Sequence, residues 1–569
     1  MIAVKDFLAK KIKNLGIKNV PVFQGGAIMH VIDSIGQLKG LKYHVPYHEQ
    51  SMAMSVDAYA RIKGIGVGCV TSGPGGTNLI TGVCCSYYDS VPCLFITGQV
   101  GQFHIKKSSK MRQRGFQETD MVSLFSSITK FAYQVKSPNE IGYIFDKAIY
   151  LAKNGRPGPV LIDLPYNIQI SKIDENKIKK FIPPRNILNS KKKKSDYQKI
   201  KLLLELIKNN QKIVFIAGGG VRIANTQKKF LSLVKKTNIP FVTSWSSQDI
   251  TPYNNDLYFG SIGRHGHQSA NNIIEKSNLI VTFGFRFAPK AINENFKKNK
   301  KISVVSIDID QKELSEALVK PDIKINLDLK EFFKHLKKIK IKKKQNAQWL
   351  EYCKVQKKTK YINNLKSLSN GINPYKFFNI FSQKIESESI VITDAGANLC
   401  WCMESFNITK KQRLISAWGN SPMGYSIAAG IGARYAVQNS KKQIFSLIGD
   451  GSFMINVQDL QFLKHHDLNL KIIVFDNQGL GNTKLGSEAV FKGRAHANNK
   501  KFGWYPPNIK DITKSFKIKY FNLNHNNEIL KSIDQFIKYK TNAVLHVNVS
   551  SNVGVIDHSD KKLQSIFKF

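Results

Sequence analysis

The sequence predicts an α/β protein of three doubly wound domains, each built on a parallel sheet. Three observations carry that expectation. A chain of 569 residues with 42% hydrophobic content is long enough to bury several cores. One theme recurs along it: a β-branched run ending in Gly or a small polar residue, followed by a helical stretch, which is the pattern of βαβ units. Two stretches of different composition divide the repeats, one rich in Lys, Asn and Pro from about Ile170 to Lys194, and a basic one from about Ile339 to Asn373.

The first block, residues 1–180, places strands at Val20–Phe23, Val67–Thr71, Cys93–Thr97 and Val160–Leu164. The second, residues 195–345, places them at Ile213–Ala217, Leu279–Phe283 and Val304–Ile309. The third, residues 373–569, restarts order at Pro374 and places them at Ile390–Thr393, Ile444–Ile448, Ile472–Phe475 and Val544–Val549. No apolar run reaches the roughly 18–20 residues needed to span a bilayer. The opening Met1-Ile2-Ala3-Val4-Lys5-Asp6 also lacks a basic-then-apolar secretory layout, so a cytoplasmic protein with no membrane partner is expected.

The formal charge of +46 is the one extreme value, and it raises the idea of a nucleic-acid partner. The lysines, however, are spread along the chain and not interleaved with aromatics as an RNA-binding face requires. The two dense runs, Lys191 to Lys194 and Lys337 to Lys344, fall where linkers are expected. A solvated surface and no nucleic-acid partner follow. The seven cysteines include no CxxC pair and stand mostly in apolar runs, so reduced, buried thiols are expected rather than a metal site.

The strongest motif lies in the third block. A strand, Ile444–Ile448, leads into Gly449-Asp450-Gly451-Ser452, then a helix-like stretch to about His466, then a strand ending in Asp476-Asn477. The spacer from 452 to 475 is the length of one helix and one return strand. In a right-handed βαβ unit it puts Asp450 and Asn477 on one rim of the sheet, where they can share an ion. A carboxylate and an amide oxygen are hard ligands that suit Mg²⁺. Gly449, Gly451 and Gly479 let the backbone approach, and a helix after Gly451 points its amino end at an anion.

That arrangement resembles the thiamine-diphosphate enzymes, whose mark is GDG, some two dozen residues, then NN. Asp476 takes the first Asn position here. The resemblance implies Asp450, Asn477 and the carbonyl oxygen of Gly479 as Mg²⁺ ligands, with Gly449, Gly451 and Ser452 beside the diphosphate. Asp394-Ala395-Gly396-Ala397-Asn398 resembles the family's diphosphate turn, with Ala397 and Asn398 in place of Gln and His; Gly396 and Asn398 are the contacts it implies. Ala417 to Tyr425 resembles the stretch that bends the cofactor, with Met423 as the wedge and the carbonyl of Ser421 accepting from the cofactor's amino group.

Tyr47-His48-Glu49-Gln50 precedes a helix-like Ser51–Ile62 at a strand-to-helix junction. In the acetolactate synthase pattern this is the place of the catalytic glutamate, so Glu49 is implied to drive the aminopyrimidine into its imino tautomer, work that suits a carboxyl in an apolar pocket. Further motifs follow the order seen in acetolactate synthase large subunits: Gly73-Pro74-Gly75-Gly76-Thr77-Asn78, Asp89-Ser90-Val91-Pro92, Thr97-Gly98-Gln99-Val100, Gly115-Phe116-Gln117-Glu118-Thr119-Asp120 and Gly155-Arg156-Pro157-Gly158-Pro159-Val160. By the resemblance Gln117 approaches the reacting species, Phe116 lines the pocket, and Gly73 and Asn78 lie near the pyrimidine.

The same resemblance makes the three blocks pyrimidine-binding, central and diphosphate-binding domains. It implies a homodimer or homotetramer, with Glu49 and Asp450 meeting across an interface, and it admits a small regulatory subunit. The central domain resembles a flavin-binding domain through Gly218, Gly219, Gly220, His265, Arg286 and Asp308. Ala288-Pro289-Lys290 departs from the family continuation, leaving bound FAD and a purely structural domain as open alternatives. The implied activity is decarboxylation of a 2-oxo acid such as pyruvate and ligation to a second carbonyl compound. Tyr166 stands where the synthases carry a lysine, and Gly486 where they carry the tryptophan that selects the acceptor, so the acceptor stays open. A non-ligating decarboxylase, a flavin-using oxidase, or a regulatory protein with decayed catalysis are the alternatives.

Overall fold

The computed structural model describes residues 1–108, 110–184, 190–292, 302–337, 344, 346–358, 371–438, 440–551 and 553–556. Three six-stranded sheets carry the fold, and every strand pair within them is parallel. Sheets of this kind are covered on both faces, so their central strands run as uninterrupted apolar stretches. Ile213–Ala217, Leu279–Phe283 and Gly66–Val70 are buried at every position for that reason.

The N-terminal sheet runs Lys42–His44, Asn19–Phe23, Gly66–Val70, Cys93–Gln99, Val160–Pro165, Phe131–Gln134. The C-terminal sheet runs Arg413–Ile415, Ile390–Thr393, Ile444–Gly449, Leu470–Asp476, Ala543–Asn548, Lys519–Leu523. Numbered within its own domain, each follows the order 2-1-3-4-6-5. The central sheet, from Tyr258–Ser261 through Phe241–Thr243, Ile213–Ala217, Leu279–Phe283 and Ser303–Asp308 to Ile323–Asn326, follows 3-2-1-4-5-6, the order of dinucleotide-binding folds. All eleven strands expected from the sequence are present. The six edge strands and Phe241–Thr243 were not expected, because short or half-polar edge strands give no apolar run. Ile2–Ala3 also pairs antiparallel with Lys172–Ile173.

Two elements depart from the sequence reading. The stretch after Gly451 is two helices, Asp450–Ile455 and Asp459–His465, broken at Asn456, whose side-chain amide donates to the carbonyl of Gly424 at 2.8 Å. The basic stretch before Pro374 contains a helix, Ala347–Lys358, docked by Trp349, whose indole donates to the Ile213 carbonyl at 2.9 Å. One anchoring tryptophan gives too weak a period to read as a helix. Of the lysine runs, the side chains of Lys191 to Lys193 and residues 338–343 lie outside the described residues.

The outer domains pack through two helices. Glu49–Lys63 opens where the His48 ring accepts from the Gln50 amide at 3.0 Å and closes at Gly64, whose φ of 85° a side chain would resist. It lies against Tyr425–Ala436 so closely that a Cβ on Gly432 would sit 2.0 Å from the Ser55 carbonyl oxygen. Tyr425 donates to Asp57 at 2.6 Å, and Arg61 bridges Asp57 and Asp89, each at 2.7 Å. Asp89 in turn accepts from the amides of Trp418 and Gly419 at 2.7 and 2.8 Å, tying the Asp89-Ser90-Val91-Pro92 motif to the loop that carries Met423. No helix of the described residues is long and apolar enough to cross a membrane.

Candidate active site

In the C-terminal sheet the strand order reverses between Ile390–Thr393 and Ile444–Gly449. Ligands of open α/β sheets sit at such a reversal, outside the carboxyl ends of the strands. Both strands end there in the predicted motifs. Asp450 is buried, its two oxygens accepting from the amides of Gly451 at 2.9 Å and Gly479 at 3.0 Å. Asn477, also buried, touches Gly481 so closely that a Cβ there would fall 2.1 Å from its amide nitrogen. Asp450 and the Asn477–Gly479 turn therefore meet at one corner, which also offers the side-chain oxygens of Asp450 and Asn477.

Around it, a Cβ on Gly396 or Gly449 would meet only the Asn398 amide nitrogen, at 3.8 and 3.6 Å, so both glycines front open space. The side-chain amide oxygen of Asn398 is buried and has no partner among the described residues. A Cβ on Gly451 would lie 3.4 Å from the Met423 methyl, which puts the wedge candidate beside the motif. Ser421 holds a left-handed φ of 49°, its amide donating to Ala417 at 2.7 Å. Ser452 hydrogen-bonds Asp394, whose oxygens also accept from Ala395, Gly424 and Ser426 at 2.8–3.0 Å. Asp394 thereby joins three site loops, and burial pushes its carboxyl up to about 6. Sequence reading quoted Asp394 only as part of a turn; its cross-links are tertiary.

Asp476, at the departure from NN, is the other addition. Its carboxylate accepts from the Gln478 amide at 2.9 Å, the Gln478 side chain at 2.8 Å and His546 at 2.9 Å, and the far ring nitrogen of His546 meets the Tyr520 hydroxyl at 2.8 Å. Burial raises the Asp450 carboxyl well above the usual range, and the neighbouring Asp476 adds to the shift. Burial works the same way on Asp476, but the His546 and Gln478 hydrogen bonds overcome it and hold Asp476 low. A divalent cation relieves such a pairing of carboxyl groups, and the oxygen-only donor set suits Mg²⁺. The cradle at Gly396 and Gly449 likewise fits a diphosphate.

The N-terminal domain assembles a second cluster. Glu49 is 6% exposed and accepts from the Asn78 side-chain amide at 2.9 Å. A Cβ on Gly73 would meet the Cβ and carbonyl oxygen of Gln117 at 3.0 Å, so the Pro74–Thr77 turn brings Glu49, Asn78, Gly73 and Gln117 together. Gln117 holds a φ of 62°, and its neighbour Phe116 is 86% exposed. Thr71, its buried hydroxyl without a partner among the described residues, lies against Gly75 beside Glu49 and was missed. Among the described residues no hydrogen bond or ion pair links Glu49 to Asp450 or Asn477.

The central-domain candidates are placed differently. Gly218, Gly219, Gly220, Arg286 and Asp308 do gather at the ends of adjacent strands. Yet a Cβ on Gly218 would strike the Gly284 carbonyl at 2.0 Å, and one on Gly220 the Gly284 Cα at 2.7 Å. Loop-on-loop packing thus accounts for those two glycines. Arg286 donates to the Tyr88 carbonyl at 3.4 Å, His265 meets the Ile556 carbonyl at 2.8 Å, and Asp308 accepts from the Asp310 amide at 2.8 Å.

Family models agree with this architecture. The N-terminal TPP binding domain of thiamine pyrophosphate enzymes matches residues 2–124, the central domain 200–336, and the C-terminal TPP binding domain 394–547. The chain belongs to the thiamine pyrophosphate enzyme family. Its relatives include the acetolactate synthase large subunit of Lactococcus lactis subsp. lactis (strain IL1403), 31% identical over 91% of this chain and 88% of that one. The corresponding subunit of Buchnera aphidicola subsp. Schizaphis graminum (strain Sg) is 31% identical over 90% and 87%, and the chloroplastic acetolactate synthase of Arabidopsis thaliana 29% over 86% and 72%. The chain is therefore an acetolactate synthase-like enzyme, and its domains imply thiamine diphosphate.

Proposed function

We propose that this protein, with thiamine diphosphate and Mg²⁺, decarboxylates a 2-oxo acid, pyruvate in the first instance, and ligates the remaining acyl unit to a second carbonyl compound. The observation that supports it most is the corner of Asp450, Asn477 and Gly479 beside the open cradle of Gly396 and Gly449 at the sheet's reversal point. Bound there, the cofactor supplies the electron sink that the amino acids lack.

The chain's own residues do the positioning. Asp450, Asn477 and the Gly479 carbonyl would hold the metal, and the metal the diphosphate; Met423 would set the bend. Glu49, excluded from water and oriented by Asn78, would hold a proton at the far nitrogen of the aminopyrimidine. In this reading Glu49 of one subunit serves the Asp450 of another, so the working unit is a homodimer with two sites. Gln117 and Phe116, on the loop leaning on Gly73, would face the substrate. No step is assigned to a flavin.

In the reaction, the bond between the carboxylate and carbonyl carbons breaks and carbon dioxide leaves; the carbonyl carbon then bonds to the acceptor's carbonyl carbon, whose oxygen takes up a proton. The test is purified full-length protein with Mg²⁺, thiamine diphosphate and pyruvate, with products identified by mass spectrometry. Carbon dioxide with a hydroxyketone or hydroxy-oxo-acid product supports the proposal. Free aldehyde alone makes the enzyme a simple decarboxylase, acetate makes it an oxidase, and no release of carbon dioxide overturns the reading.

A further inference from the structure

The cations of this chain are divided unevenly. Only eleven of its 86 lysine and arginine residues are arginine. Arg61, Arg156, Arg222 and Arg413 are held in ion pairs, and Arg286 and Arg434 donate to backbone carbonyls. Arg264 is engaged as well, and Arg185 lies outside the described residues. That leaves Arg112, Arg114 and Arg494. All three are exposed, and their guanidinium groups make no hydrogen bond or ion pair among the described residues.

Their positions are not scattered. Arg112 and Arg114 immediately precede Phe116 and Gln117, and Arg494 opens the segment that walls the metal corner. In that segment the Asn498 carbonyl accepts from Leu480 at 2.9 Å and would lie 2.7 Å from a Cβ on Gly479, while the Trp504 ring would lie 3.2 Å from one on Gly451. Each segment is also stripped of opposing charge. No acidic residue stands between Asp89 and Glu118, or between Glu488 and Asp511. Glu118 does not neutralise the arginines either, since its buried carboxylate is turned inward onto the amides of Lys106, Arg114 and Gly115 at 2.7–3.2 Å. The carboxylate thus fixes the shape of the arginine loop and leaves the guanidinium groups outward.

An exposed guanidinium with no partner, set in a shaped loop, is a bidentate receptor for phosphate, and lysine does not replace it in that role. We propose that the carbonyl acceptor of this enzyme carries a phosphate or diphosphate group, gripped by Arg112 and Arg114 on one wall of the site and Arg494 on the other. This deepens the function proposed above and rests on it, because the two walls face one another only when subunits pair as described.

The test uses full-length protein saturated with Mg²⁺ and thiamine diphosphate, with pyruvate as donor and glyceraldehyde 3-phosphate or glyceraldehyde as acceptor. The phosphorylated aldehyde is expected to be ligated with a kcat/KM at least about tenfold higher, and that advantage to shrink between 50 and 300 mM salt as screening grows. Arg112→Ala/Arg114→Ala and Arg494→Ala should each raise KM for the phosphorylated aldehyde several-fold while carbon dioxide release from pyruvate stays as in the wild type. Inorganic diphosphate should compete with the phosphorylated acceptor in the wild type and not in the triple variant. Equal use of the two aldehydes, or an advantage that survives in the triple variant, overturns the proposal. A protein that releases no carbon dioxide with any acceptor fails the functional reading instead; diphosphate titrated calorimetrically into the cofactor-saturated wild type and triple variant then still tests the arginines, and identical heats overturn them.

Discussion

The N- and C-terminal domains share a strand order, and the proposed function gives them opposite halves of one chemistry. At the reversal point of the C-terminal sheet the candidate residues come in two short runs, Gly449 to Ser452 and then Asn477 to Gly479, separated by two short helices and a strand. The N-terminal domain instead gathers its half from separated places, with Glu49 at a helix start, Asn78 past a glycine turn and Gln117 on a distant loop. In the proposed function the same topology thus serves as anchor in one copy and as activator in the other. What separates them is charge and openness. The C-terminal rim presents glycines onto empty space beside two carboxylates, whereas the N-terminal rim closes round a single buried carboxylate.

Splitting anchor from activator is the sharpest way to break this comparison. Asp450→Ala removes the carboxylate proposed to ligate the metal, and the expected loss is total: cofactor washes off despite Mg²⁺, and turnover falls by at least about 10³, equivalent to roughly 4 kcal/mol. Retention of thiamine diphosphate on gel filtration in that variant would move the metal elsewhere. Glu49→Gln should behave oppositely. Its amide can still face Asn78, so calorimetric binding of the cofactor should stay within a few-fold while turnover falls about 10²–10³, the scale of a lost general acid–base group. If binding and turnover fall together, Glu49 is an anchor and the division of labour is wrong.

How much of this was legible followed from how local each signal is. Central strands announce themselves as buried β-branched runs, and Asp450 and Asn477 are fixed by a spacer inside one βαβ unit. Edge strands such as Lys42–His44 and Lys519–Leu523 alternate or expose their residues and left no run to read. The links of Asp394 to Gly424 and Ser426 and the His546–Tyr520 pair on Asp476 could not be read, since the partners lie far off in sequence; Gly424 is 30 residues from Asp394 and His546 is 70 from Asp476. The glycines of the central domain show the converse case. A Gly-rich loop after a strand suggests a nucleotide, but Gly218 and Gly220 have a nearer reason in the Gly284 turn.

The joint between the halves offers smaller, graded tests. Gly432→Ala places a methyl group 2.0 Å from the Ser55 carbonyl, against backbone that cannot give way singly. The expected destabilisation is about 1–3 kcal/mol, seen as a lower denaturant midpoint, and it should weaken both half-sites together. Gly26→Ala, with nothing within 4 Å and an ordinary φ, is the control that should leave the midpoint unchanged. Equal midpoints for the two variants would mean that the helix pair does not set the domain contact.

The most gradual effect belongs to Asp459, which accepts from Ser51 across the same joint. Burial pushes its carboxyl up to about 7, against about 3.9 in an unfolded chain. The folded state therefore binds the proton more tightly, so the stabilisation linked to this group is complete below about pH 4 and is lost as pH rises through about 7. Asp459→Asn cannot ionise and still accepts from Ser51. Its stability relative to wild type should climb between pH 5 and pH 8, by roughly 2–3 kcal/mol. Because Asp163 and Asp394 are raised to about 6 and slope the whole curve the same way, only the difference between variant and wild type isolates Asp459. A difference that stays flat across that range would mean water reaches the carboxylate, and that the two domains are less tightly sealed than the Gly432 contact implies.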